Sequence, residues 1–170
     1  YFNVAAANSR GLELQLNTQW RRVEGSATWT WLDTQVTDSG FQDGPGATFV
    51  RGEPLLRRPS HNANFHMAVD LNNGLDIYGD LRVTGSRSDR DFSSFPATPV
   101  KLRSYTVFSV GGRWEIFPST QSLSHLVFDM RVENVLDTEF QEVFGFQAPG
   151  RGFYVGLSLN FRGRGEKQTP

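Results

Sequence analysis

Apolar and polar residues alternate along most of this chain, with a period of two. Leu12, Leu14 and Leu16 alternate with Glu13, Gln15 and Asn17, and Ala27, Trp29 and Trp31 alternate with Thr28 and Thr30. The same pattern returns from Ala63 to Leu71, Leu75 to Val83, Phe108 to Ile116, Leu126 to Val132 and Phe153 to Phe161. Successive side chains of a strand point to opposite faces, so each run predicts a strand with one apolar and one polar face. Seven strands result, each of roughly 9 to 12 residues; strands in soluble proteins usually run about five or six, whereas about 9 to 11 cross a bilayer at a tilt.

The connections alternate as well. Short turns are predicted at Arg22-Val23-Glu24-Gly25, at Asn72-Asn73-Gly74 and around Phe117-Pro118-Ser119. Asn-Gly is a strong hairpin signal. Long loops rich in Gly and Pro are predicted at 34–59, 85–104 and 134–151. Short turns on one edge and long loops on the other characterise outer-membrane barrels. No helix longer than a turn or two and no internal domain boundary is predicted.

Alternation does not say whether the apolar face looks into a core or into lipid, and the charges bear on that choice. Asp80, Arg82, Arg113, Glu115, Asp129, Arg131 and Glu133 share the polar side of three runs, and the apolar side of the seven runs carries no charge. An Arg or Lys facing lipid near the midplane costs about 2–4 kcal/mol, which accounts for a charge-free face. Lys101 and Lys167 are the only lysines, and neither falls within a run. Trp20, Trp29, Trp114, Phe117 and Phe161 are expected near the short-turn edge, at the level of an interfacial girdle, with Phe153 at the opposite edge.

The 170 residues carry 17 Lys+Arg against 18 Asp+Glu and no cysteine, and mean hydropathy is −0.42. Such averages suit a neutral soluble domain, because a lipid-facing row averaged with a polar row looks ordinary. The charge balance argues against nucleic acid as a partner. Without cysteine, disulfide scaffolds, Cys-ligated zinc and thiol catalysis are excluded for this chain. No run of 18 or more apolar residues predicts a membrane-crossing helix, and no signal-peptide pattern opens the chain. His61, His66 and His125 have no neighbours at metal-ligand spacing, and Gly44-Pro45-Gly46 lacks the rest of a phosphate loop. No catalytic residue, metal site or cofactor is therefore expected, and the chain does not read as an enzyme.

The C-terminal region carries a resemblance. Arg131-Val132-Glu133-Asn134-Val135-Leu136-Asp137, then Glu139-Phe140-Gln141-Glu142, then Gly145-Phe146-Gln147-Ala148-Pro149-Gly150-Arg151-Gly152-Phe153, resembles the last hairpin of TonB-dependent outer-membrane receptors. Ser9-Arg10-Gly11-Leu12-Glu13-Leu14 and Leu56-Arg57-Arg58-Pro59-Ser60-His61 resemble two strand openings of that family. The resemblance implies an all-β fold. Residues 1–161 would form the C-terminal part of a 22-stranded antiparallel transmembrane β-barrel: about seven strands plus a strand stub at Tyr1 to Val4, with no plug domain, followed by a polar tail at 162–170. A piece of this kind is expected neither to insert stably nor to transport by itself, because its strand edges lack partners.

The family's function then becomes the expectation: uptake of a scarce nutrient across the bacterial outer membrane, with an iron–siderophore complex as the first ligand. The long loops would be extracellular, and the short turns and C-terminus periplasmic. The implied partners are the receptor's own N-terminal plug domain, the TonB energy-transducing complex acting through it, the outer-membrane assembly machinery, lipopolysaccharide and a small-molecule ligand. Gly156, Leu159 and Phe161 resemble the family's assembly signal, and Asp80 to Glu133 on the polar side would face the plug or simply satisfy one another. Ligand-contact candidates in the loops are Phe41, Phe49, Arg51, Arg57, Arg87, Arg90, Phe92, Phe144 and Phe146, with Arg58, Phe95 and Phe140 beside them. Arg with aromatics suits an anionic aromatic ligand, although the same arginines have lipopolysaccharide phosphates or Asp38, Asp43, Asp89 and Asp91 as alternative partners. Two other readings stay open: a smaller complete outer-membrane barrel acting as pore or adhesin, and a soluble carbohydrate-binding β-sandwich with Trp29 and Trp31 as a stacking platform.

Overall fold

The structure, a computed structural model, describes residues 6–40, 47–116 and 123–161. Seven of its strands form one antiparallel sheet: β1 (Ala6–Trp20), β2 (Val23–Asp38), β3 (His61–Asp70), β4 (Leu75–Thr84), β7 (Tyr105–Ile116), β8 (Leu123–Glu133) and β11 (Gly152–Phe161), in that order. Two of the long connections hold short strands of their own. The connection after β4 holds a hairpin of β5 (Arg87–Asp91) and β6 (Thr98–Leu102), and the one after β8 holds β9 (Gln141–Val143) and β10 (Phe146–Gln147).

All seven alternating runs lie within sheet strands except for Leu71, one residue past the end of β3, and the register keeps their two faces separate. One row joins Leu75, Trp114, Phe128 and Leu157; the next joins Ile77, Gly112, Met130 and Val155. The opposite face brings together His66 and Asp80, Asp76 and Arg113, and Arg113 and Asp129. A one-residue slip would exchange these faces, so burial of one of them pins the register.

The apolar face has no second layer among the described residues. Leu14 is 55% exposed, Met67 57% and Leu157 62%, while Val36, Leu102 and Tyr105, among the few buried apolar residues, lie at the long-loop end. In water, each such side chain forgoes about 1.5–3 kcal/mol of burial. This single layer overturns the soluble-sandwich reading, which needs an opposing sheet to cover that face.

Several details depart from expectation. β1 and β2 run to 15 and 16 residues, beyond the alternation that marks them. Their extension puts Arg10 and Asp33, paired at 2.9 Å, on the row of Leu12 and Trp31, so the apolar face is free of charge only over its central band. The first short turn falls at Arg21-Arg22 rather than 22–25, because Val23 and Glu24 already pair with Trp20 and Gln19. Trp29 does not join Trp20 and Trp114 at the short-turn edge; it pairs with Ala63 and stacks on His61 at 5.8 Å. Six residues into a strand, at about 3.4 Å each, it lies roughly 20 Å from the turn. Tyr1 to Val4, Phe41, Phe117 and the tail at 162–170 lie outside the described residues, and the side chain of Phe161 is likewise not described.

The Asn72-Asn73-Gly74 turn forms where expected, with left-handed φ values of 74°, 55° and 74°. Asn and Gly are the residues that tolerate this region. Gly74 also approaches β7: its carbonyl accepts the Glu115 N–H at 2.6 Å, and a Cβ there would lie 2.3 Å from the Glu115 carbonyl oxygen.

Candidate functional site

The long-loop end is tied together by one carboxylate. Asp89, on β5, is 1% exposed. Its Oδ1 accepts the Arg57 Nε–H at 2.9 Å and the Arg90 N–H at 2.9 Å, and its Oδ2 accepts the Phe144 N–H at 2.8 Å. Arg57, Asp89 and Phe144 belong to three different long loops, so a single side chain joins all three. Burial alone pushes the Asp89 carboxyl up, but the N–H groups of Phe144 and Arg90 and the Arg57 guanidinium outweigh it and hold the group below the ordinary carboxylate range.

The neighbouring arginines reinforce this joint. Arg57 N–H donates to the Ser88 carbonyl at 2.8 Å. Arg90, 5% exposed, donates to the Thr48 carbonyl at 2.8 Å and reaches Glu53 at 3.5 Å. Arg87, also 5% exposed, donates to the Gln141 carbonyl and lies 5.4 Å from the Tyr105 ring centre. Tyr105 stacks on Phe140 at 4.0 Å with Arg82 5.6 Å from each ring, and its hydroxyl donates to Glu142 at 3.1 Å. The arginine–aromatic contacts that the sequence suggested for a ligand are thus made within the chain by Arg82 and Arg87.

Of the loop candidates, Arg57, Arg87 and Arg90 converge on this joint. Phe92, Phe144 and Phe146 are exposed beside it, as is Phe95 at 91%, the most open large apolar side chain among the described residues. Phe49 is half-buried, and Arg51 and Arg58 are exposed.

The C-terminal motif explains itself locally. Asn134 and Asp137 take left-handed φ values of 50° and 53°. Asn134, 3% exposed, accepts the Thr138 N–H at 2.9 Å and donates to the Thr138 carbonyl at 3.0 Å, while Asp137 accepts the Arg151 N–H at 2.8 Å. These bonds fold the chain as it leaves β8 and fasten it to the start of β11. Asn and Asp at unusual backbone angles were the available sequence signal.

On the polar face most of the named charges are paired, partly along strands. Arg113–Glu115 at 2.8 Å and Arg131–Glu133 at 3.0 Å join residues two apart on one strand. The cross-strand contacts use histidine: His66–Asp80 at 2.7 Å and His125–Glu115 at 3.4 Å. Arg82 instead reaches Glu142, at 3.5 Å. A cavity of about 650 Å³ opens where this face meets the loops, lined by Thr28, His66, Asp80, Arg82, Asn134 and Phe140 among others. No cluster of three or more His, Asp or Glu residues poised for a metal occurs among the described residues.

Comparison with known proteins agrees with this architecture. Residues 1–135 match the family described as TonB dependent receptor-like, beta-barrel. Among solved structures, FpvA of Pseudomonas aeruginosa bound to a heterologous ferric pyoverdine superposes with a TM-score of 0.67 at 15% identity, over 89% of this chain and 19% of that one. The ferripyoverdine receptor of the same organism, bound to ferripyoverdine, gives 0.64 at 15% identity over 86% and 19%. The copper transporter OprC gives 0.61 at 16% identity over 89% and 23%. The chain therefore spans about a fifth of the length of these proteins, and in sequence pattern, sheet order and family match it belongs to the TonB-dependent receptors, as part of their outer-membrane β-barrel.

Proposed function

We propose that this chain is the C-terminal part of the barrel of a receptor that imports a ferric siderophore, with the three long loops extracellular and the short turns periplasmic. The observation that carries this reading is the Asp89 joint. It fixes three loops as one platform on which Phe92, Phe144 and Phe146 are exposed, and a polar cavity opens where the sheet meets the loops. Preorganised loops bind without a large ordering cost. The polar row from Asp80 to Glu133 then faces the receptor's own plug domain, whose rearrangement is driven by the TonB complex. Gly156, Leu159 and Phe161 serve the assembly machinery, lipopolysaccharide surrounds the outer rim, and the chain performs no catalysis.

Copper is the competing cargo, since one similar structure is a copper transporter. Soft sulfur ligands favour copper(I). This chain has no cysteine and 2 methionines, and both Met67 and Met130 lie on the apolar face. The test uses a strain deleted for the full-length receptor, with uptake of radiolabelled iron measured for a panel of ferric siderophores and of copper in parallel. Restoration of one ferric siderophore's uptake by the full-length gene, and its loss in a Phe144→Ala, Phe146→Ala variant that still reaches the outer membrane, is the expected result. Copper uptake alone would overturn the ligand assignment.

A further inference from the structure

A second polar cavity, of about 570 Å³, opens beside the first, between the polar face of β2 to β4 and the loops that meet at Asp89; Arg57, Arg82, Arg87, Tyr105 and Glu142 are in its wall. Its floor is the neutral row Thr30, Asn62 and Thr84. Three arginines thus stand against a single acid in the lining, and the arginines are not equally satisfied. Arg57 is answered by Asp89 at 2.9 Å, and Arg82 by Glu142 at 3.5 Å. Arg87, 5% exposed, has one guanidinium nitrogen on the Gln141 carbonyl, while its Nη1 is buried with no hydrogen-bond partner, and no carboxylate among the described residues pairs with it. A buried cationic donor left without an acceptor is costly, and native structures hold few of them.

We infer that this cavity takes an iron-free carboxylate of the ligand, with Arg87 as the residue that selects it. The inference rests on the siderophore reading above and narrows it to ferric siderophores that carry such a group. Arg82 and Arg87 lie 5.6 and 5.4 Å from the centre of the same Tyr105 ring, so two guanidiniums gather at one edge of the cavity. They differ in access: the Arg82 side chain is 46% exposed, and Arg87 is enclosed. An incoming carboxylate meets Arg82 first, replaces its long contact with Glu142, and comes to rest with one oxygen on Arg87 Nη1. Guanidinium and carboxylate match as a two-pronged, charge-assisted pair. A neutral hydroxyl would find Thr30, Asn62 and Thr84 but would leave the Arg87 charge unanswered, which is why the site favours an anion.

The test measures binding to the purified full-length receptor by quenching of its tryptophan fluorescence. The probes are ferric tris-hydroxamates and ferric tris-catecholates, each prepared with a pendant carboxylate and as the methyl ester of the same molecule. The free acid of the recognised type is expected to bind about 10- to 100-fold more tightly than its ester. Arg87→Gln and, independently, the more exposed Arg82→Gln should each bring the acid-to-ester ratio close to one, and heat-modifiable mobility confirms that both variants are folded. Equal binding of acid and ester by the unaltered receptor would overturn the carboxylate site and leave the siderophore reading standing. An equal loss of acid and ester binding in both variants would also overturn it, since a purely structural role or a plug carboxylate seated on Arg87 acts on both probes alike. Binding of no ferric probe at all would remove the siderophore reading and this inference with it.

Discussion

Replacing Asp89 by Asn keeps the shape of the side chain, removes its charge and turns one accepting oxygen into a donor facing another donor. Hydrogen bonds to a charged group contribute about 1.5–3 kcal/mol each, so local opening of the loop joint is expected to become easier by about that amount. Hydrogen exchange at the Phe144 amide of the full-length receptor measures it: Asp89→Asn should exchange roughly 10- to 100-fold faster, while amides in β4 stay unchanged. The pH dependence follows from the same bonds. A carboxyl held below its unfolded value of about 3.9 contributes its full stabilisation above that value and loses it as pH falls through the lower, folded value. Phe144 protection should therefore be flat near neutrality and fade only in strong acid; loss of protection near pH 7 would contradict the role of Asp89. Little of this joint could be read from sequence. Asp89 was one of several acids available to the loop arginines, and its partners at 57 and 144 are distant in the chain. Nothing local marks such a pairing, whereas Asn134 and Asp137 sit in a motif whose residue types already suit left-handed turns.

At the level of elements, alternation exposed every strand of the main sheet because each carries an apolar row on one face and a polar row on the other. It exposed neither loop hairpin. β5 reads Arg-Ser-Asp-Arg-Asp, with no apolar row, and it is held by its pairing with β6 and by Asp89. The C-terminal half of β2 was hidden for a related reason: past Trp31, Asp33 and its β1 partner Arg10 lie at the edge of the apolar band, where the pattern no longer has to hold. The turns offer a direct comparison. Gly74 and Gly145 both have left-handed φ, but a Cβ at 145 meets nothing within 4 Å, whereas one at 74 lies 2.3 Å from the Glu115 carbonyl oxygen. Gly145→Ala should cost about 1–2 kcal/mol, the ordinary penalty of that backbone region. Gly74→Ala should cost clearly more, since it also disturbs the contact between the turn and β7. The temperature at which the full-length receptor loses its compact electrophoretic form ranks the two; equal shifts would mean that the close approach carries no weight.

For the whole molecule, the two faces of one sheet are the defining property, and the absence of cysteine from this chain makes them easy to map. Single cysteines placed at Leu14, Ile77 or Leu157 in a cysteine-free full-length receptor should resist a charged, water-soluble maleimide in membranes. Cysteines at Gln15, Asp76 or Ser158, their neighbours on the opposite face, should react at least several-fold faster. Equal rates on the two faces would remove the basis for placing lipid on the apolar side. The polar face was legible as a set of charges but not as pairs, because two of its bridges run along a strand and others recruit histidine or a loop glutamate. The Arg10–Asp33 pair has one more implication. Between Trp20 and Arg10 the row of β1 covers ten residue steps, about 34 Å along the strand and about 24 Å in height at a tilt near 45°. That is close to the roughly 25 Å apolar band of outer-membrane barrels. The pair and the tryptophan thus act as two depth marks, and the distance between them matches the sheet to a thin bilayer: a thicker one would draw a charged pair below its surface, so membrane thickness itself helps decide where this protein can reside.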